Sequence, residues 1–224
     1  MSMIKDLVKT KIKHLLGKGS YRAFGQNGED AMIHALLRGI DKGTYVDVGA
    51  YNPILYSNTY GLYREGWSGI TIDPNPAVQP LHRILRPRDT FVLGGVSNVE
   101  KECDYYRFTD GAYNTFDPEV AEDLKTKRYP RFIRKETSHL YPLHSILKKN
   151  NITKVDFLDV DVEGLDVEVL ESFDWNLAPR VVAIESRSFK PETMTADPAY
   201  VFLRNHGYVL AGFLKYTLVF VHQG

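Results

Sequence analysis

From residue 44 onward, short apolar runs alternate with longer segments in which apolar side chains recur every three or four positions. TYVDVGA (44–50), SGITID (68–73), TFVLGGVS (90–97), VDFLDVD (155–161) and RVVAIES (180–186) are β-rich and bounded by turn residues. Between and beyond them the spacing predicts helices over 57–67, 76–85, 142–150, 165–173 and 197–207, the last ending at Gly207. Residues 98–136 are less regular, with a strand at DYYRF (104–108) and a helix over 117–127 that begins at Pro118. The chain closes on YVLAGF and YTLVFV with no helix between them, which predicts an antiparallel hairpin at a sheet edge. Strands separated by helices make the expected fold class α/β, a mostly parallel sheet with helices on both faces. One domain is expected over 21–224, preceded by an amphipathic helix over 1–20. In that helix Ile4, Leu7, Val8, Ile12, Leu15 and Leu16 share a face, and Lys5, Lys9, Lys13 and Lys18 lie largely opposite. Such a helix suits docking on its own domain or on a second subunit, making a homo-oligomer, or peripheral contact with an anionic membrane.

Composition changes this picture little. Lys+Arg and Asp+Glu both number 28, so no global charge points to a nucleic acid partner. The single Cys103 excludes an internal disulfide framework and a multi-cysteine zinc site, and fits a reducing compartment. The first twenty residues carry lysines throughout and no continuous apolar core, so a cytoplasmic location is expected. The most apolar stretch, 207–221, is short for a membrane span and has Lys215 at its middle.

In open α/β sheets, ligands bind beyond the carboxyl ends of the strands. That rule points to Asp47–Ala50, Asp73, Ser97, Asp159–Glu163 and Glu185. Asp47-x-Gly49 and Asp73 are separated by the length of one βαβ unit, and an acid in Asp73's place can accept both hydroxyls of a ribose. After Gly49 come Ala50, Tyr51, Asn52 and Pro53, with neither G-x-G-x-x-G nor G-K-[ST]. A pyrophosphate requires several free backbone N–H groups at a helix start, and this turn offers few. The expected cofactor therefore has an adenosine ribose without a phosphate chain, as S-adenosylmethionine (SAM) does. A nicotinamide-dependent oxidoreductase stays open as an alternative, because Asp73 would serve NAD as well. So does a non-catalytic binding domain of the same fold.

Two further clusters carry chemistry. Asp159, Asp161 and Glu163 share one strand face, and buried acids so close call for a cation, a cofactor ammonium or a hydroxyl partner. Alternatively they cap the following helix. FGQNGEDAMI (24–33) is a Gly-punctuated turn in which Glu29 and Asp30 suit a helix N-terminus.

QNGED, YVDVGAYNPILYSNTYGLYREGWSGITIDPNP, YNTF and VDFLDVDVEGLDVEVLESFDWNLAPRVVAIE, in that order over about 24–186, together resemble the FkbM methyltransferase family. The resemblance implies a class I, Rossmann-like SAM methyltransferase with a seven-stranded sheet. It implies O-methylation, most often of a sugar hydroxyl in a polysaccharide or glycosylated metabolite. Carried over, Asp47, Gly49 and Ala50 line the methionine end of SAM, and Ser57, Asn58 and Thr59 shape that floor. Asp73 holds the ribose, Pro74 and Asn75 flank the adenine, and Ser97 follows the third strand. Gln26 and Glu29 close over the cofactor. Asp161 and Glu163 stand in the V-D-V-E-G signature beside the transferred methyl group. Thr217 departs from the Asn of many relatives. By analogy with related sugar and catechol enzymes, Asp161 and Glu185 would hold Mg²⁺. His139 and His144 are rival bases, while Tyr105, Tyr106, Tyr113, Phe116 and Arg107 could stack on a sugar ring.

Overall fold

The computed structural model describes residues 5, 6, 9, 11, 12, 21–162 and 164–223. The helix expected over 1–20 lies almost wholly outside the described residues, as does Glu163. Ten strands follow in chain order: β1 Thr44–Val48, β2 Ser68–Asp73, β3 Thr90–Leu93, β4 Gly95–Val96, β5 Lys101–Phe108, β6 Phe132–Tyr141, β7 Phe157–Val160, β8 Val181–Glu185, β9 Tyr208–Leu214 and β10 Thr217–His222. Seven of them form one sheet in the order β3-β2-β1-β7-β8-β10-β9. β1, β2, β3, β7 and β8 run parallel, and β10 pairs antiparallel with both β8 and β9, which is the expected terminal hairpin.

Among the described residues from 21 onward the α-helices are α1 Glu29–Leu36, α2 Tyr60–Arg64, α3 Gln79–Leu85, α4 Pro118–Thr126, α5 Leu143–Lys149, α6 Asp166–Glu171 and α7 Pro198–Asn205. Alternation along the strands decides which helix covers which face. Val46, Val48, Leu158, Val160, Val182 and Ile184 pack with Leu143, Ile146 and Leu147 of α5, Val169 and Leu170 of α6 and Leu203 of α7. Their neighbours Tyr45, Phe157, Val181 and Ala183 turn the other way, against Ile33 of α1, Leu62 and Tyr63 of α2 and Trp67. Each such fully buried aliphatic side chain contributes about 1.5–3 kcal/mol, so both faces are firmly covered. Period two then places Asp47 and Asp159 on the α1–α2 face.

Three departures from the sequence expectations have local causes. The helix expected over 57–67 shrinks to α2, its C-terminal end set by Gly66 at φ 98° and by Glu65 and Trp67 N–H both donating to Leu62 O. Ser57 Oγ, accepting from Tyr60 N–H, starts the helix only at Tyr60. The single strand expected over 90–97 breaks at Gly94, whose φ is 152°. Beyond it, Gly95 and Val96 leave the main sheet and pair with Leu140 and Tyr141 of β6. β4, β6 and β5 form a separate three-stranded sheet. β6 was not expected at all: most of it is exposed, so its sequence lacks the apolar alternation of a half-buried strand.

Candidate active site

The carboxyl ends of β1, β2, β7 and β8 open into a cavity of about 770 Å³. Its floor begins at the turn after β1. There Gly49 N–H and Ala50 N–H both donate to Ile72 O (2.9 and 3.0 Å), and Tyr51 N–H donates to Asp73 Oδ2 (2.9 Å). Three successive donors are thus spent inside the protein, and none of the three is left to cradle a pyrophosphate. Gly49 sits at φ 90°, and a Cβ there would lie 1.7 Å from the Asp161 carbonyl oxygen. The glycine is required by the close passage of the chain leaving β7, rather than by a ligand alone.

Asp73 ends β2 and lines the cavity while 6% exposed. Its Oδ1 accepts Asn75 N–H at 2.7 Å, which leaves each carboxylate oxygen one further lone pair for a ligand hydroxyl. Burial pushes its pKa up to about 6, against the opposing effect of the two backbone hydrogen bonds.

Asp47 and Asp159 are direct partners across the β1–β7 pair, and both are buried on the cavity wall. Burial raises the pKa of each; the neighbouring Asp47 raises Asp159 further, so that it stands well above the usual carboxylate range. Arg86 and a hydrogen bond from Thr59 pull Asp47 the other way. Asn58 Nδ2 donates to Asp159 Oδ1 at 3.2 Å, and Glu29, 2% exposed, accepts Asn27 N–H and Nδ2 and Thr217 Oγ1.

The opposite wall is supplied by the small sheet and the loop after β5. Asp110 accepts from Tyr51 Oη (3.3 Å) and Tyr129 Oη (2.8 Å), and the rings of Tyr113 and Tyr129 meet edge-on at 6.2 Å. Asn114 Oδ1 is fixed by Phe108 N–H at 2.8 Å, which leaves its buried Nδ2 without a partner. Asn58 Oδ1 is likewise buried and unpartnered. Both residues line the cavity, so a bound molecule offering an acceptor at one and a donor at the other would satisfy both.

Of the residues expected to bind the cofactor, Gln26, Glu29, Asp47, Gly49, Ala50, Ser57, Asn58, Asp73 and Pro74 line the cavity. Three do not. Thr59 is fully buried behind Asp47. Asn75 is folded back, its Oδ1 on Ala77 N–H. Ser97 is fully buried with its hydroxyl on Val99 O, because the kink at Gly94 makes Gly94–Val96 the wall instead. Asp161 and Glu185 both reach the cavity, as does Thr217. Among the described residues no group of three or more acidic, histidine or cysteine side chains converges as a metal would require, so the expected Mg²⁺ pair gains no third ligand. His139 lies outside the cavity, against Glu102, and His144 faces Ser172 O. Tyr105, Tyr113 and Phe116 line it; Tyr106 and Arg107 do not.

Sequence reasoning missed Tyr51, Asp110 and Tyr129 and assigned no role to Asn114. Asn114 carried a signal, standing in YNTF; Asp110 and Tyr129 carried none, since they meet only through the fold.

The Methyltransferase FkbM domain model matches residues 47–210. The chain belongs to the FkbM methyltransferase family. It is accordingly a SAM-dependent methyltransferase. Among solved structures, precorrin-6y C5,15-methyltransferase from Geobacter metallireducens GS-15 is similar at 14% identity, over 91% of this chain and 94% of that one, with a TM-score of 0.46. A TehB-like SAM-dependent methyltransferase from Corynebacterium glutamicum ATCC 13032 Kitasato is similar at 10% identity over the whole of both chains, with a TM-score of 0.45. No curated protein matches this FkbM-family chain in sequence. Among its described residues, no helix is long and apolar enough to cross a membrane.

Proposed function

We propose that this FkbM-family enzyme transfers the methyl group of SAM to a hydroxyl of a sugar, within a glycan, polysaccharide or glycosylated metabolite. The charge of the cavity carries the reading: seven carboxylates (Glu29, Asp47, Asp73, Asp110, Asp159, Asp161 and Glu185) face two basic side chains, Arg187 and Lys215. Such a wall favours a sulfonium and an ammonium and disfavours a diphosphate, which sets SAM above NAD. When bound, SAM supplies an electrophilic methyl group. The protein does the rest. Asp73 accepts from the ribose hydroxyls and Asn114 Nδ2 donates to the adenine. Glu29, Asp47 and Asp159, with Asn58 Oδ1, receive the cationic methionine end.

A hydroxyl is a poor nucleophile until its proton leaves, whereas a neutral amine needs no base of this strength. A carboxylate held beside the acceptor can take that proton, and this end of the cavity is rich in carboxylates. Asp161 takes the proton of the acceptor hydroxyl, with Glu163 two residues further along the chain. Tyr113 and Tyr129, 42% and 62% exposed, offer flat faces on which a sugar ring can pack. Asp161→Ala should lower turnover by about 10²–10⁴ while SAM affinity changes little; normal turnover in single-turnover assays removes the role. Mass spectrometry of products from sugar and amine acceptors incubated with SAM tests the acceptor class, and methylation of amines alone defeats it. Dialysis against EDTA tests the Mg²⁺ expected at Asp161 and Glu185: unchanged turnover removes the metal.

A further inference from the structure

α3 does not reach the cavity, yet the residue at its C-terminal end is tied to the cavity floor from behind. Arg86 is 1% exposed, between the rings of Tyr45 and Tyr63, 5.2 and 5.4 Å from its guanidinium carbon. Its Nε donates to Asp89 (2.6 Å), and its Nη2 to Tyr45 Oη (2.8 Å) and Thr59 Oγ1 (2.9 Å). Nη1 lies 3.4 Å from Ser57 Oγ and 3.8 Å from Asp47 Oδ2. A guanidinium has only donors, so it fixes the direction of every hydroxyl it touches. Thr59 Oγ1 must accept from Arg86, and its own proton then goes to Asp47 Oδ2. That oxygen therefore carries no proton of its own, and the Arg86 charge 3.8 Å away disfavours one on Oδ1. Tyr45 is oriented in the same way, accepting from Arg86 and donating to Asp89.

Asp47 needs this support, because most of the other charge it faces is negative. Asp159 opposes it on β7, Asp73 stands at the end of β2, and Asp89 lies behind; Glu29 of α1 faces Asp159. Arg86 is the cation paired with Asp47 and Asp89, and Arg107 acts on Asp73 alone among the acids named. We infer that Arg86 is a positioning residue which, through Thr59, keeps Asp47 ionised and aimed for the cationic end of the donor. The inference rests on the reading of Asp47 as a SAM ligand given above.

The test is calorimetric SAM affinity of the full chain between pH 5 and 8. Removing Arg86 raises the pKa of Asp47, so the loss of affinity on the acid side begins at a higher pH. Arg86→Gln should weaken SAM about tenfold near neutrality and move the midpoint of that acid-side loss upward by about one pH unit. Arg86→Lys, which keeps the charge, should return the midpoint most of the way. Thr59→Val removes only the relay hydroxyl and should shift the midpoint the same way, by less; it decides the matter if Arg86→Gln does not fold. A uniform weakening with an unmoved midpoint would mean a structural prop only, and overturns the inference. Asp47→Asn separates the two layers: if it leaves SAM affinity intact, the reading of Asp47 fails. If it weakens SAM while the Arg86 and Thr59 variants leave the midpoint in place, only the inference fails.

Discussion

On the cavity floor, three consecutive backbone N–H groups from Gly49 to Tyr51 are bonded within the protein, and the buried acids above them are braced by Arg86 and Thr59. Across the cavity, the loop after β5 is pinned to its own sheet by the backbone bonds between Tyr106 and Thr115 and meets the floor through Tyr51 Oη on Asp110, which Tyr129 Oη also contacts. Tyr129 is exposed, and its bond competes with water. Such a bond is worth only about 0.5–1.5 kcal/mol, so the cover can part from the floor cheaply, whereas the floor cannot change without breaking the sheet. The cavity is thus built as a fixed base with a lightly held wall, and substitutions on the two sides should differ in kind.

The largest effect should come from the floor. Gly49→Ala puts a methyl group onto the Asp161 carbonyl and a side chain at φ 90°. It should cost about 3–5 kcal/mol in denaturant melts, combining strain and overpacking; wild-type stability would show that the turn is softer than described. Next comes pH. Burial pushes Asp73 and Asp166 up to about 6 in the folded chain, against about 4 when unfolded. The folded state therefore binds more protons between those values. Stability from these two groups is fully present below pH about 4 and is lost as pH rises through about 6, by about 3 kcal/mol per group. His82, pushed down to about 4 by burial, works the other way over the same window, so the test compares variants: Asp166→Asn should remove the part of the falling slope that Asp166 supplies between pH about 4 and 6. A pH slope of melting that Asp166→Asn leaves unchanged contradicts the placement of that acid. Asp73→Ala should weaken SAM tenfold or more, about 1.5–3 kcal/mol for a charged hydrogen bond, by calorimetry. The cover should answer least. Tyr129→Phe, losing one exposed hydrogen bond, should change stability by about 1 kcal/mol or less; a large loss would make the wall as rigid as the floor.

The parallel sheet and the hairpin were legible because their strands are buried and their apolar runs are continuous. That Asp47, Asp73, Asp161 and Glu185 line the cavity was legible because topology places strand ends at its mouth. The small sheet was not, since the mostly exposed β6 shows no alternation, and a kink at one glycine moved the third-strand wall from Ser97 to Gly94–Val96. Thr59 was assigned to the right neighbourhood but to the wrong side of Asp47, because a motif gives a residue's place in the chain and not the direction of its side chain.

The chain's own pattern determined the architecture, the absence of a phosphate cradle and the acids at the strand ends, because periodicity and residue type are local properties. Which donors were already spent, which hydroxyl points at which carboxylate, and that Arg86 stands behind Asp47 were decided only on folding. Hydrogen-bond direction and burial depend on partners far apart in sequence, and only the packed structure brings those partners within reach.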